Sequence, residues 1–415
     1  QKRLWEKRKF VLRTEYCLTL DRVPEKLWDE VLANEAQVAE WRQFYSIEGR
    51  VNKGFLKAHP TLVVDTRHFS EDFKYRLLAH FDDPSTGSGQ ALDEALDGLL
   101  IKSENWQALN LLLEKHREGV KCIYIDPPYN SKSTEILYPN LYKHSSWLSL
   151  MQNRLVLSRL LSTAEGSHII AIDENEQEKL GLLLSILFPN HSRVCVAVVH
   201  NKKNIQGDYF SYNHDYAYFC IPSSLPETNT SPLAQSEWEY SNLRKWGRES
   251  TRDTARNCFY PISVKEGKIV GFGDVCQDTF HPGTSNRERR DGVIEVYPVD
   301  SDGTERKWRY ARDSIESIEH LLKVHVTNKG ETQILKARSS MQWKTVWSDP
   351  KYIAGDYGTR VLTEMGIFPA EDLFPKSVHT VIDSVHAVSG QDSIVLDYFA
   401  GSGTTAHAVI NLNRE

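Results

Sequence analysis

The stretch that most constrains the fold is residues 394–412, which read "IVLDYFAGSGTTAHAVINL". Three apolar residues typical of a strand are followed by a loop of small residues, 400–405, and then by a helix-like apolar segment. A strand, a glycine-containing turn and a helix in this order are the parts that α/β proteins use to bind a nucleotide. The stretch therefore predicts an α/β fold with a ligand site at this turn. A tight structural turn is the alternative interpretation.

The loop lacks the residues that phosphate binding requires. A P-loop needs a lysine after its last glycine, but Gly403 is followed by two threonines. The dinucleotide fingerprint needs a third glycine, where this chain has Ala406. Asp397 ends the apolar run, and a carboxylate at that position is costly unless it has a partner. These features favour a nucleoside without phosphate chemistry, and S-adenosylmethionine is the candidate.

A second alternation of strand and helix precedes a proline turn. Residues 99–101 ("LLI") and 122–125 ("CIYI") predict buried strands, and the helix between them could be capped by Ser103 or Asn105. Alternating units of this kind imply a mainly parallel sheet, whose ligands gather at the carboxyl ends of its strands. The second run ends in Asp126. We therefore expect Asp126 to lie at the ligand-binding edge of the sheet.

The tetrapeptide Asp126-Pro127-Pro128-Tyr129 has the chemistry of a clamp for a planar amine. Two prolines stiffen the turn, so that the Asp126 carboxylate and the Pro127 carbonyl are held in fixed positions beside the Tyr129 ring. The two oxygens can accept the hydrogens of an exocyclic amine while the ring stacks on the base. Such hydrogen bonds would make the amine lone pair available to attack a sulfonium methyl group. The alternative is a plain proline turn after a strand.

Composition limits the class of protein. A chain of 415 residues with 40% hydrophobic content can form two or three domains, and its apolar runs are too short for a membrane span. The net charge of -6 means that any contact with nucleic acid must come from local patches. The six cysteines include no C-x-x-C pair, which argues against a metal site and a disulfide framework. We expect a cytoplasmic protein without bound metal.

The two motifs resemble those of a known family. "DPPY" and "DYFAGSGTT" look like the catalytic and cofactor motifs of DNA amino-methyltransferases, and their order is that of the circularly permuted β class. Further blocks are similar to the Mod subunits of type III restriction–modification systems: "YKHSSWLSLMQNRL", "GSHIIAIDENE", "FSYNHDYAYF", "NLRKWGREST", "KTVWSDPKYIAGDYGT" and "FPKSVHTV". The resemblance covers nearly the whole chain and is weakest in the first 80 residues.

The resemblance implies a fold and a division into domains. The fold is α/β, a Rossmann-like sheet of the S-adenosylmethionine-dependent methyltransferases that is circularly permuted, with an inserted target-recognition domain and an N-terminal helical arm. The expected segments are 1–90 (arm and linker), 91–225 (catalytic half), 226–350 (target recognition) and 351–415 (cofactor half). The chain stops before a further strand could supply an acid for the cofactor's ribose. We therefore expect a truncated stretch of a longer protein that binds the cofactor weakly on its own.

The resemblance also assigns roles to individual residues. Residues 126–129 would hold the target base, and Lys376 would meet the methionine carboxylate of the cofactor. His214 and Tyr216 would line the base pocket, although a core histidine is an equal alternative. The cofactor pocket would be formed by Asp397, Phe399, Ala400, Gly401, Ser402, Gly403 and Thr404.

Arginine clusters mixed with aromatic residues occur between residues 222 and 350. Arginine can contact phosphates and can also bind guanine edges through two hydrogen bonds. Nearby acids offset much of this charge, so a solvated surface is the alternative. The residues predicted to contact DNA are Arg244, Lys245, Arg248, Arg287, Arg289 and Arg290.

The predicted function is methylation of adenine N6 in double-stranded DNA with S-adenosylmethionine as donor. Cytosine-C5 chemistry needs a cysteine nucleophile, conventionally after proline, and the chain has no Pro-Cys pair. Cytosine-N4 methylation uses the same amine chemistry and stays open, as does a decayed recognition subunit that guides a nuclease. The expected partners are a second copy of the chain and a helicase–nuclease restriction subunit.

Overall fold

The computed structural model describes residues 11–82, 92, 96–130, 143–201, 209–225, 227–367 and 374–414. The chain divides into two compact units, one of residues 1–228 with 344–415 and the other of residues 229–343. Glu415 lies outside the described residues. No helix among the described residues is long and apolar enough to cross a membrane.

The first unit contains a six-stranded mixed sheet. Its strands are β3 (Val120–Ile125), β4 (Ser162–Ile172), β5 (His191–Val199), β6 (His214–Pro222), β16 (Val346–Trp347) and β17 (Val395–Leu396). Their order across the sheet is β16-β5-β6-β4-β3-β17. β6 runs antiparallel to both β4 and β5, whereas the other three neighbouring pairs are parallel. This α/β arrangement agrees with the fold predicted from the sequence.

Helices flank this sheet and bury its apolar residues. They are α5 (Asn105–His116), α6 (Lys143–Leu161), α7 (Gln177–Leu187), α8 (Arg360–Glu364), α9 (Val378–Val388) and α10 (Thr404–Leu412), and a π-helical turn (Gly355–Thr359) leads into α8. One core cluster joins the interior residues of β3 and β4 to α6 and α7 through Trp147, Met151, Leu180 and Leu184. Burial of these side chains stabilises the sheet edge on which the candidate site lies.

The N-terminal region has a hydrophobic core of its own. Its helices are α1 (Trp28–Ala33), α2 (Glu35–Tyr45), α3 (Lys53–Ala58) and α4 (Glu71–Asp82), and β1 (Cys17–Thr19) pairs antiparallel with β2 (Val63–Asp65). Leu27, Val31 and Trp41 are buried in this core. The indole of Trp41 donates to the carbonyl of Val63 at 2.5 Å.

Two local predictions are corrected by the structure. Residues 99–101 are not a strand, and Leu99 and Leu100 are exposed, since three apolar residues form a strand only when a partner strand lies beside them. Helix α5 is capped by Glu104, whose carboxylate accepts from the Gln107 amide at 3.2 Å, and not by either neighbour.

The second unit consists of small antiparallel sheets. Its strands are β7 (Ser231–Pro232), β8 (Glu239–Asn242), β9 (Ile262–Lys265), β10 (Lys268–Phe272), β11 (Asn286–Glu288), β12 (Ile294–Val296), β13 (Leu322–Val326), β14 (Thr332–Arg338) and β15 (Ser340–Met341). They form the groups β10-β9-β12-β11, β13-β14-β8 and β15-β7. A core around Tyr260, Trp308 and Ile334 holds the unit together. The predicted domain boundaries stay a prediction.

Candidate active site

The predicted catalytic tetrapeptide, residues 126–129, is called the catalytic turn below and follows directly from a buried strand. β3 ends at Ile125, so the Asp126 carboxylate stands at the carboxyl end of the sheet with 27% of its side chain exposed. The indole nitrogen of Trp147, which is fully buried on α6, donates to the Pro128 carbonyl at 2.7 Å. The turn is therefore fixed by its two prolines and by a hydrogen bond from the core.

A buried carboxylate holds the residue after the tetrapeptide. Asn130 has a left-handed backbone (φ 61°), a conformation that asparagine tolerates better than most residues. Its amide donates to Glu176 Oε1 at 2.6 Å, and Nδ1 of His144 lies 2.5 Å from the same oxygen. Glu176 is fully buried and lies 3.5 Å from the ammonium of Lys179. This network orients the end of the catalytic turn.

The two motif strands lie side by side. β17 pairs parallel with β3, with Val395 opposite Cys122 and Leu396 opposite Ile123. Parallel strands end at the same edge of a sheet, so Asp397 and Asp126 follow neighbouring strands on one edge. The structure thus brings together the two motifs that are far apart in the sequence.

The loop after β17 is organised by Asp397. One carboxylate oxygen accepts from the Phe399 amide at 2.8 Å, and the other accepts from the Thr405 hydroxyl at 2.6 Å. Gly401 and Gly403 both have positive φ, which explains why glycine occupies these two positions. The space above Gly403 is open, because a Cβ atom built there would meet nothing within 4 Å. The loop is a small-residue cradle that opens into α10.

The other predicted cofactor residues belong to the same loop. Ala400 is exposed, while Phe399 is half-buried and packs at the edge of the core. The hydroxyls of Ser402 and Thr404 lie 3.0 Å apart at the start of α10. Their predicted contact with a cofactor stays a prediction.

Lys376 lies beside the catalytic turn. Its ammonium donates to Oδ2 of Asp215, lies 3.9 Å from Oδ1 of Asp126 and stands 4.5 Å from the centroid of the Tyr129 ring. Oδ1 of Asp215 in turn lies 3.3 Å from Nε2 of His200. The sequence predicted that Lys376 binds a cofactor carboxylate, and that role stays a prediction. In the structure the Lys376 ammonium lies within ion-pair distance of the Asp126 carboxylate.

Burial perturbs the titration of these groups. It raises the pKa of Asp126, while the Lys376 charge lowers it again. Burial also raises the pKa of Asp397 to about 6, although the hydrogen bonds from Thr405 and Phe399 lower it. The pKa of Tyr129 lies well above its ordinary value because of burial and the neighbouring Asp126 carboxylate. Tyr129 therefore stays protonated at neutral pH and cannot act as a base.

A third aspartate at this edge was missed by the sequence reasoning. Asp173 follows β4 directly and is buried, and its carboxylate accepts from the side-chain amide of Asn175 at 2.7 Å. Burial raises the pKa of Asp173 to about 6. The signal was present in the sequence, since an acid follows the apolar run "IIAI" as it follows the runs before Asp126 and Asp397.

His214 and Tyr216 face away from Asp215 along β6, because successive side chains of a strand point to opposite faces. Tyr216 packs against the core formed with α6 and α7. The ring centroids of His214 and Tyr216 lie 5.0 Å apart in a T-shaped arrangement. Their predicted place in the base pocket stays a prediction. In this strand it is Asp215 that contacts the Lys376 ammonium.

The predicted DNA contacts differ in their surroundings. Arg244 is buried, donates to the Val299 carbonyl and lies over the Trp246 ring at 4.6 Å, and its predicted DNA contact stays a prediction. Arg289 pairs with Asp291 at 3.0 Å. The remaining four are at least partly exposed and stay predicted contacts: Lys245, Arg248, Arg287 and Arg290.

The sequence and structure were compared with those of known proteins. The chain is 25% identical over 464 residues to the EcoPI Mod subunit of a type III restriction–modification enzyme from Escherichia phage P1, covering 98% of this chain and 67% of that relative. It is 26% identical over 349 residues to the type II methyltransferase M.KpnI from Klebsiella pneumoniae, covering 78% of each. The crystal structure of the M1.HpyAVI–SAM complex aligns with a TM-score of 0.34 and 10% identity, covering 76% of this chain and 88% of that one.

One family model includes both motifs. The model described as DNA methylase, for the N6 and N4 methyltransferases, matches residues 120–415. This range runs from the first residue of β3 to the end of the chain and contains the proline turn, the cradle and Lys376. The chain therefore belongs to the N6/N4 family of DNA methylases.

Proposed function

We propose that this chain methylates the N6 amine of adenine in double-stranded DNA, as the modification subunit of a restriction–modification system. The observation that carries the proposal is the parallel pairing of β3 with β17. This pairing sets an amine clamp and a nucleoside cradle on adjacent strand ends. A methyl donor and a methyl acceptor held there can react directly, without a covalent enzyme intermediate.

The catalytic turn supplies the acceptor side. The Asp126 carboxylate and the Pro127 carbonyl accept the two hydrogens of the adenine amine, and the Tyr129 ring stacks on the base. These hydrogen bonds draw the amine lone pair out of the ring and towards the methyl group. Because a base inside a duplex cannot reach this turn, the target adenine has to be extruded from the helix. Aspartate at the head of the tetrapeptide favours adenine over cytosine as the target.

The cradle supplies the donor side. S-adenosylmethionine, when bound, contributes a sulfonium methyl group that is open to attack. Asp397 fixes the loop conformation by accepting hydrogen bonds from Phe399 and Thr405. Gly401 and Gly403 both have positive φ, and the space next to the Gly403 Cα is open. This arrangement suits a nucleoside without phosphate groups, because the loop carries no cation.

DNA recognition is assigned to the second unit. We propose that four cationic side chains of this unit contact the DNA phosphates: Lys245, Arg248, Arg287 and Arg290. Residues 229–343 lie between the segments that carry the two motifs, as expected for an inserted target-recognition domain in a permuted chain. We also propose a second copy of the chain and a separate restriction subunit as partners, and a cytoplasmic location. The similarity to Mod subunits of restriction–modification enzymes supports the restriction subunit.

A methyl-transfer assay tests the proposal. The chain is incubated with tritiated S-adenosylmethionine and unmethylated genomic DNA, and the product is digested to nucleosides and separated. Label in N6-methyldeoxyadenosine supports the proposal, whereas label in N4-methyldeoxycytidine would replace adenine by cytosine as the target. Asp126→Asn is the matched inactive control. If the parent chain transfers no more label than this variant, the chain is a recognition subunit without catalytic activity.

A further inference from the structure

The ammonium of Lys376 occupies the position that a target amine would take. It stands over the Tyr129 face, 4.5 Å from the ring centroid, and 3.9 Å from Oδ1 of Asp126. A base stacked on the same face would meet the same ring and the same carboxylate. The ammonium and the base amine therefore compete for one place. Lys376 keeps a second partner, because it also donates to Asp215.

The backbone that carries Lys376 is fixed. A Cβ atom at Gly358 would lie 2.6 Å from the Pro375 carbonyl oxygen and 2.8 Å from that of Lys376, so only glycine permits this close approach. The Ser377 hydroxyl donates to the Lys351 carbonyl at 2.6 Å and accepts from the His379 amide at 3.2 Å, which caps α9. With its backbone held on both sides, Lys376 is aimed at the clamp by the fold.

We propose that Lys376 is a positioning residue that keeps the Asp126 carboxylate ionised and holds the place of the target amine until the base arrives, and that Asp215 is a positioning residue that holds the Lys376 ammonium. Asp215 retains the ammonium when the base displaces it from Asp126, so Lys376 does not lose its charge partner. This inference rests on the proposed function for the identity of the base. The ionisation of Asp126 itself can be measured without DNA or cofactor.

The surrounding charges set the direction of each effect. Burial raises the pKa of Asp126, Lys376 lowers it, and the like charge of Asp215 raises it. Burial lowers the pKa of Lys376, but Asp126 and Asp215 together raise it above its ordinary value, so the ammonium stays charged. The other titratable groups facing these three are Tyr124, Tyr129, Asp173, His200 and Asp397.

Removing the two partners therefore moves Asp126 in opposite directions. Lys376→Met removes an opposite charge, so the pKa of Asp126 rises by roughly 1 pH unit. Asp215→Asn removes a like charge and leaves the ammonium to Asp126 alone, so the pKa of Asp126 falls. Lys376→Arg keeps the charge and restores the lower pKa. A residue that only supports the fold would not produce shifts of opposite sign.

The test is a carbon-13 NMR titration of the chain labelled at the aspartate γ-carboxyl carbon. The Asp126 signal is identified by its loss in Asp126→Asn. The matched control is Lys351→Met, since the Lys351 ammonium also pairs with a carboxylate, that of Asp383 at 2.7 Å, and also lies over a tyrosine ring, that of Tyr352. Shifts of opposite sign with an unchanged control support the inference. An unchanged Asp126 signal, or shifts of the same sign in both variants, would overturn it.

A second measurement separates this inference from the proposed function. If the chain transfers methyl groups, the acid limb of the kcat/KM profile moves to higher pH in Lys376→Met and to lower pH in Asp215→Asn. If the NMR shifts appear but no variant or parent transfers a methyl group, the charge arrangement stands and the proposed function is wrong.

Discussion

The hydrogen bond from Trp147 to the Pro128 carbonyl gives the sharpest test of how the core supports the catalytic turn. We expect Trp147→Phe to lower kcat for methyl transfer more than it lowers stability. Phenylalanine keeps most of the buried ring but cannot donate, so the carbonyl 2.7 Å away loses its partner. Loss of a partner for a largely buried carbonyl costs about 1–3 kcal/mol in the free energy of unfolding.

The effect on catalysis follows from geometry. Pro128 lies between the Pro127 carbonyl and Tyr129, so rotation of its peptide group moves both parts of the clamp. A misplacement of about 1 Å at a reacting group costs up to about 100-fold in rate, and we expect a loss of roughly 10-fold to 100-fold in kcat. Binding of the cofactor should change little, because Trp147 contacts the acceptor side.

Trp41 is the matched control. It is also fully buried and also donates from its indole to a backbone carbonyl, that of Val63 at 2.5 Å, but in the N-terminal core. Trp41→Phe should also lower the free energy of unfolding, measured by urea denaturation with circular dichroism, while kcat stays near that of the parent. The loss of stability should be smaller than in Trp147→Phe, because the Val63 carbonyl still accepts from the Gln37 side-chain amide at 3.2 Å. Equal losses of kcat in the two variants would refute the argument, because the effect would then come from general destabilisation.

Four further predictions concern other residues. Asp126→Ala should abolish methyl transfer and leave cofactor affinity within about 3-fold by isothermal titration, since the carboxylate acts on the amine. Tyr129→Phe should lower kcat/KM slightly and Tyr129→Ala should lower it strongly, because a base–aromatic stack is worth about 1–3 kcal/mol. Replacing Arg287 and Arg290 by glutamine should weaken DNA binding and lower the slope of log K against log salt by about 0.9 for each lost phosphate contact; an unchanged slope would mean solvated surface. Burial lowers the pKa of His168 from 6.5 to about 3, so the unfolded chain binds this proton first as pH drops. The free energy of unfolding of the parent, measured relative to that of His168→Gln, should therefore fall between pH 6.5 and pH 3.

The parts of the site that local chemistry determines could be predicted from the sequence. An acid directly after an apolar run located Asp126 and Asp397 at strand ends, and two prolines fixed the turn between Asp126 and Tyr129. The same rule also places Asp173 at a strand end, directly after the apolar run of residues 169–172. These predictions succeed because they depend on a few adjacent residues and on the rule that polar groups at strand ends need partners.

The parts that depend on distant residues could not be predicted. Residues 99–101 have the composition of a strand but no partner, and pairing is not visible in a short window. Arg244 cannot be told from Arg248 by sequence, yet the first is buried against the Val299 carbonyl and the second is exposed. The contact between Lys376 and Asp126 joins segments from opposite ends of the chain, so it required the structure.

The pairing of β3 with β17 also sets the time at which the protein becomes active during its synthesis. The ribosome makes the catalytic turn early and the cradle much later, because β3 is Val120–Ile125 and β17 is Val395–Leu396. Closing so long a loop of chain carries an entropic cost and slows the step that joins the two strands. A nascent chain that has not yet released β17 holds an amine clamp with no donor beside it. Premature termination anywhere before this strand therefore yields a polypeptide that cannot modify DNA, however well its earlier segments fold.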